Sequence, residues 1–203
     1  MSSSSLYQPT MIAVLWPAEA RSRWLRAAAL AIAGSLLVAA CSQLQVPLWP
    51  VPITGQTFAV LVIGMAYGWR LGAATLVLYL CEGAAGLPVF AGFSGGPAVL
   101  AGPTAGYLFG FVLAAGLVGF LAERGWDRGV ARTALAMVAG NAVIYLAGVP
   151  WLALFLAGTG ASEPWTAALG AGLVPFLLGD AVKLALAAAA FPVAWRLARR
   201  WRA

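Results

Sequence analysis

Apolar residues come in six long runs, at about residues 25–42, 55–69, 71–88, 104–122, 133–157 and 168–196. Short stretches separate them: a proline-rich loop, a bare Trp69-Arg70 turn, a glycine-rich loop, a basic loop and a short polar loop. A basic tail follows the last run. A helix needs about 20 apolar residues to cross a hydrocarbon core about 30 Å thick. The pattern therefore predicts an all-α integral membrane protein with six transmembrane helices. The second run is the short one, since about 15 residues at 1.5 Å each reach only about 22 Å. Three segments follow from the pattern: a tail over 1–24, a six-helix membrane domain over 25–196 and a basic tail over 197–203. Within the first tail, residues 11–16 form a short interfacial stretch.

Composition supports this reading. Of 203 residues, 63% are hydrophobic and only 9% charged, against roughly 25% charged in soluble domains. A soluble fold cannot bury so much apolar surface, and no stretch between runs is long enough for a second domain. The net charge of +6 would suit a nucleic-acid binder only if the arginines shared one soluble face, and they are dispersed between apolar runs instead.

Topology accounts for those arginines better. With the N-terminus in the cytoplasm and six crossings, Arg21, Arg23, Arg26, Arg70, Arg124, Arg128, Arg132, Arg196, Arg199, Arg200 and Arg202 all fall on the cytoplasmic side. Removing one crossing would move Arg70, the basic loop and the basic tail outside, against the positive-inside rule. Both termini are expected in the cytoplasm, and the protein in a bacterial cytoplasmic membrane. Trp24, Trp49, Trp69, Trp126, Trp165 and Trp195 sit near the predicted boundaries, where aromatic belts form.

The chain offers no catalytic set. It has no histidine and two cysteines, so an imidazole base and a thiol-rich metal site are both excluded. No phosphate-binding motif ends in Lys-Ser/Thr, so the chain does not hydrolyse nucleotide itself. The expectation is a small membrane binding protein, not an enzyme, with no metal and no cofactor.

The candidate chemistry is an intramembrane pair. Asp180 and Lys183 are the only charges between Ala167 and Trp195, and Lys183 is the only lysine. A charge at the centre of a membrane helix costs about 2.5–3.5 kcal/mol on insertion scales. Three residues apart on a helix, the two side chains share one face. Either they bind a polar ligand inside the membrane, or they form an ion pair that packs this helix on a neighbour.

Other polar positions are open to two readings each. Gln56 and Thr57 follow the stiff loop Gln43–Ile53, and serve either a pocket or a plain helix start. Glu82 and Asn141 either contact a ligand or satisfy a carbonyl or a neighbouring helix. Tyr145 is core or ligand contact. Gly106 and Gly110 read as helix packing. Ala27, Ala31, Ser35 and Ala39 make a small-residue stripe that lets another helix approach closely.

Several motifs stand in order. They are Pro52-x-Thr54-Gly55-Gln56-Thr57, Tyr79-Leu80, Gly86-Leu87-Pro88-Val89-Phe90-Ala91-Gly92, Gly102-Pro103-Thr104-Ala105-Gly106-Tyr107-Leu108, Gly148-Val149-Pro150-Trp151 and Gly179-Asp180-x-x-Lys183. Together, over residues 25–196, they resemble the BioY family, biotin-binding S components of energy-coupling factor transporters. The resemblance implies a six-helix fold with a biotin pocket near the outer face, covered by the first and second outer loops. It implies partners: a transmembrane coupling subunit, docked on Ala27, Ala31 and Ser35, and two cytoplasmic ATPase subunits. It places biotin on Asp180 and Lys183, whose matching family positions contact the ligand. Gln56, Asn141, Tyr145 and Glu82 are added as ligand contacts on chemistry and location.

Biotin's ureido ring offers two N–H donors and a carbonyl acceptor, which a carboxylate and an ammonium can complement. The opposite polarity, with Lys183 on the tail carboxylate, also satisfies the chemistry. An S component for another vitamin, or a non-transport membrane protein with a structural Asp-Lys pair, are the competing readings.

The arginine distribution makes a direct prediction. A reporter fused after Trp126 reads cytoplasm, and one inserted in the Gly92–Gly96 loop reads exterior. Labelling of an Arg128→Cys variant from outside by an impermeant reagent would overturn the six-crossing topology.

Overall fold

The structure is a computed structural model that describes residues 8–17 and 22–200. Arg21, Arg202 and the side chains of Arg199 and Arg200 lie outside the described residues, as do the ends of both predicted tails. Eight α-helices are described: α1 (Met11–Leu15), α2 (Arg23–Gln43), α3 (Gln56–Tyr67), α4 (Trp69–Ala84), α5 (Ala105–Ala122), α6 (Val130–Gly158), α7 (Pro164–Gly172) and α8 (Val174–Arg200). Single 3-10 turns lie at Ala91–Phe93, Val99–Ala101 and Trp126–Arg128.

Four segments are long and apolar enough to cross a membrane: Arg23–Gln43, Ala105–Ala122, Val130–Gly158 and Pro164–Ala198. The last comprises α7 and most of α8. Helices α3 and α4 are shorter, at 12 and 16 residues. They meet at Gly68, whose φ of 84° reverses the chain without a linker. That left-handed conformation suits glycine, which has no Cβ to clash.

The sixth apolar run is not one helix. It breaks at Leu173, whose ψ of −60° comes with a φ of −127°. Pro175 follows at the second position of α8. Its ring has no N–H and clashes with the carbonyl four residues back, so it starts a helix more readily than it continues one. The loop between α2 and α3 also departs from an all-helical reading. Gln45–Val46 (β1) and Ile53–Thr54 (β2) pair antiparallel, and fold the proline-rich stretch between them into a short ribbon.

The helices pack where small residues remove side-chain bulk. Gly106 and Gly110 on α5 face α6: a Cβ on Gly106 would lie 2.6 Å from the Ala147 carbonyl oxygen, and one on Gly110 3.1 Å from Ile144 Cα. Such close approach adds backbone dispersion contacts where apolar burial gives no drive between lipid-bathed helices. The largest contacts join α5 to α6, α3 and α4, so α5 is the central helix, and it is also the most buried of the four segments long and apolar enough to span.

Two ends of the bundle are tied separately. At the arginine-bearing end, α1 lies across the helix termini and packs on α3 and α8. Gln8 N–H donates to the Glu123 carbonyl at 2.6 Å, Arg26 Nη2 to the Ile12 carbonyl at 2.8 Å, and Arg128 Nη1 to Gln8 Oε1 at 2.8 Å. Trp69 N–H donates to Glu123 Oε1 at 3.2 Å. Asp127 is fully buried here, accepts from Trp195 Nε1, and has its carboxyl pushed above the ordinary range by that burial. Trp195 is accordingly a buried anchor and not a member of an aromatic belt, whereas Trp24, Trp49 and Trp165 are exposed near segment ends. At the opposite end, Ser42 and Gln43 of α2 hold the loop after α4. Ser42 Oγ donates to the Val89 carbonyl at 2.9 Å, Gln43 Nε2 donates to the Phe90 carbonyl at 3.0 Å, and Gln43 Oε1 accepts from Phe93 N–H at 3.0 Å.

The small stripe on α2 faces inward. Ser35 is fully buried and donates to Glu82 of α4, while Ala27 and Ala31 are half-buried. The face of α2 open to another chain carries Ala29 and Ala33, flanked by Leu25, Ile32 and Leu36. The register of an Ala-rich helix is not legible from small residues alone, because several four-residue stripes coexist in the same sequence.

Candidate ligand pocket and the intramembrane ion pair

A cavity of about 180 Å³ lies near the loop-covered end of the bundle. That is many times the roughly 10–15 Å³ needed to admit a single water. Its floor comes from α5 and α6, through Tyr107, Leu108, Phe111, Ile144 and Tyr145, with Phe176 of α8 beside them. Val51, Pro52 and Thr54 of the loop between α2 and α3 and Phe90, Ala91 and Ser94 of the loop after α4 cover it, and Gln56 and Thr57 start α3 along one side. The walls are mostly apolar, with a few hydroxyl and amide groups, as small-molecule sites generally are.

The cover is anchored by a chain of hydrogen bonds. Gln56 Nε2 donates to Tyr79 Oη at 2.6 Å, and Tyr79 Oη donates to the Val89 carbonyl at 2.9 Å. Thr54 Oγ1 donates to Gln56 Oε1 at 3.1 Å. Tyr79 is fully buried and its ring meets Phe90 edge-on, with centroids 5.4 Å apart. One glutamine thereby links the α2–α3 loop, α4 and the loop after α4.

Asp180 and Lys183 stand directly behind the wall. Lys183 Nζ donates to the Thr54 carbonyl at 2.9 Å, to Thr57 Oγ1 at 2.9 Å and to Asp180 Oδ1 at 3.1 Å. An ammonium has three donors, and all three are used. Asp180 is 4% exposed. Its Oδ1 also faces the Thr57 hydroxyl at 3.4 Å, and its Oδ2 accepts from Tyr145 Oη. Thr54, Thr57 and Tyr145 line the cavity, whereas the charges themselves do not. The pair is thus satisfied by the very groups that present polar atoms to the pocket.

Of the six residues expected to touch a ligand, Gln56 and Tyr145 line the cavity. Asp180, Lys183 and Asn141 share a separate void of about 10 Å³ on the far side of Thr57, close to the size that holds one water. Asn141 Oδ1 is buried there with no hydrogen-bond partner among the described residues. Glu82 is elsewhere: it is half-buried on α4 and accepts from Ser35 across the α2–α4 contact, one turn beyond Tyr79. Sequence reasoning gave no role to Tyr79, Tyr107, Thr104 or Ser94, although the first three fall in the quoted motifs. Tyr107 spends its hydroxyl on the Gly172 carbonyl at 2.9 Å, and so fixes the break between α7 and α8 against the pocket floor. A tyrosine in an apolar run carries no sign of which carbonyl it will reach.

Three comparisons bear on this arrangement. The BioY family matches residues 11–200. The biotin transporter BioY of Thermotoga maritima is 40% identical over 152 residues, covering 75% of this chain and 85% of that protein. The probable biotin transporter BioY of Pyrococcus horikoshii is 40% identical over 146 residues, covering 72% of this chain and 82% of that one. Among solved structures, the S-component for biotin from an ECF-type ABC transporter superposes with a TM-score of 0.71 at 22% identity, covering 91% of this chain and 95% of that one. At that identity the likeness bears on the fold alone.

Proposed function

The chain belongs to the BioY family, and from that premise we propose that it captures biotin in the cavity beneath its outer loops, as the S component of an energy-coupling factor transporter. It is a substrate-binding transport component and not an enzyme. The observation that carries the ligand assignment is the cavity itself: mostly apolar, about 180 Å³, with hydroxyls gathered at the Asp180–Lys183 end. Biotin has a polar ureido head, a thioether ring and an aliphatic acid tail. Its head finds Tyr145 and Thr57 backed by the ion pair, and its apolar body finds Phe90, Leu108, Phe111 and Phe176.

In this reading Asp180 and Lys183 recognise the ureido ring, directly or through the hydroxyls they hold. Tyr145 donates to Asp180, so its oxygen turns acceptor lone pairs to the pocket, which suits a ligand N–H. Gln56 sets the cover in place. Asn141 supplies a buried acceptor behind the wall. Glu82 acts at the α2–α4 contact and not on the ligand.

The six-crossing topology belongs to the same proposal. Short α3 and α4 cross as a pair because Gly68 turns the chain at the arginine-bearing end and Thr54 lies at the pocket end. Both termini then lie in the cytoplasm, and the chain sits in the cytoplasmic membrane. The coupling subunit docks on the open face of α2, at Ala29 and Ala33, where small residues admit a close helix. Paired ATPase subunits supply the energy that this chain has no motif to supply.

Two measurements test the reading. Labelled biotin binds saturably to the detergent-purified protein, and other vitamins do not displace it; displacement by a different vitamin, or a folded protein with no saturable binding, would refute the assignment. For the docking face, Ala33→Trp lowers recovery of the coupling subunit on co-purification while biotin binding persists. Undiminished recovery for both Ala29→Trp and Ala33→Trp would remove that face from consideration.

A further inference from the structure

Six hydroxyl groups line the cavity, those of Thr54, Thr57, Ser94, Thr104, Tyr107 and Tyr145. Five of them are directed at acceptors within the protein. Thr104 is the exception: its hydroxyl makes no hydrogen bond among the described residues, and it does not cap α5, which it precedes. The turn that carries it is stiff. Pro103 has its φ fixed by its ring, and Trp151 Nε1 donates to the Gly102 carbonyl at 2.8 Å. Gly110 of α5 packs on Ile144, next to Tyr145. Thr104 stands six residues earlier, about 9 Å of helical rise toward the loop-covered end. The Tyr145 and Thr104 hydroxyls thus belong to the two ends of one cavity.

An ionised ligand tail would find no cation at the Thr104 end. Lys183 is the only lysine in the chain, and its three donors are spent on Thr54, Thr57 and Asp180. The described arginines lie at the opposite end of the bundle, and Arg21, Arg199, Arg200 and Arg202 are close to them in sequence. Besides the ion pair, the carboxyl groups of the loop-covered half are those of Glu82, near the end of α4, and Glu163, just before α7. Negative charge there disfavours an anion and leaves a neutral tail unaffected. A carboxylate taken from water without a cation also loses more hydration than an amide does.

We propose that Thr104 determines specificity for the ligand's tail by donating one neutral hydrogen bond to its acyl oxygen, and that the cavity accepts biotin amides as readily as the free acid. The inference rests on the biotin reading above, with the ureido head at Tyr145 and the tail toward Thr104. Acid and amide both carry an acyl oxygen that accepts from a hydroxyl. The ligand class is then a ureido-ring compound whose tail ends in a carbonyl group, charged or not. The opposite polarity, with Lys183 on the tail carboxylate, would instead demand the acid.

The test is displacement of labelled biotin from the full-length, detergent-purified protein by unlabelled biotin, by biotinamide and by an analogue whose tail ends in a methyl group. Biotinamide competes within about threefold of biotin, a difference smaller than one neutral hydrogen bond. Thr104→Val, which removes the hydroxyl at nearly constant volume, weakens biotin and biotinamide alike by about fivefold, the usual effect of one such bond. It leaves the methyl-tailed analogue unchanged, which a merely structural defect would not. Thr104→Ser keeps the hydroxyl and restores both affinities. Biotinamide more than about tenfold weaker than biotin would overturn the proposal and point to a cation at the tail. So would unchanged affinities in Thr104→Val, or an equal loss for all three compounds. Any of these results, with biotin still bound saturably, leaves the transport reading standing; a folded protein that does not bind biotin overturns both.

Discussion

Three helices meet on one ion pair. Lys183 Nζ of α8 draws in the Thr54 carbonyl and the Thr57 hydroxyl at the start of α3, while its partner Asp180 draws in Tyr145 of α6. In hydrocarbon an unpaired charge or a stranded polar group costs several kcal/mol, so these four partners are held by necessity. The start of α3 also joins the α2–α3 loop to the bundle, and Tyr145 forms part of the cavity floor. The geometry of the pocket therefore depends on the pair, although neither charge lines it.

From that knot the cover follows. Thr54, held by Lys183 through its carbonyl, donates its hydroxyl to Gln56; Gln56 reaches Tyr79, and Tyr79 reaches Val89 of the loop after α4. Ser42 and Gln43 at the end of α2 take the neighbouring carbonyls of the same loop. A change at the ion pair can be felt at the cover through few contacts, each of them a hydrogen bond with a defined donor. At the other end α1 and Glu123 tie the helix termini together without touching the cavity. The cavity and the ties among the arginine-bearing termini thus occupy opposite ends of the bundle.

Much of this was legible in the sequence because membrane constraints are severe. The apolar runs marked where the helices lie, except that the sixth divides into α7 and α8, and the Trp69-Arg70 turn stood where Gly68 reverses the chain. Asp180 and Lys183 stood out because charges are rare in such runs. What escaped was whatever depends on tertiary register. The stripe Ala27–Ala31–Ser35 was expected to meet another chain, and the bond from Ser35 to Glu82 turns its last member inside the bundle. Trp195 looked like a belt residue until Asp127 gave it a buried partner. The break at Leu173 hides in an unbroken apolar run, with Pro175 as its one local sign. Glu82 was grouped with the ligand because it is polar and intramembrane, two properties that a helix–helix contact satisfies equally well.

The central claim is that the Asp180–Lys183 pair serves recognition and is not merely structural. Single substitutions mix two effects, since removing one partner strands the other charge and costs about 3–5 kcal/mol. The double variant Asp180→Asn/Lys183→Met leaves no stranded charge and keeps side-chain volume. Thermal stability and biotin affinity of that double variant, measured beside the unmodified protein, separate the two roles. The account predicts near-normal thermal stability with biotin affinity reduced at least about tenfold, or about 1.4 kcal/mol. A double variant that binds biotin as tightly as the unmodified protein would contradict it, and would make the pair a packing device alone.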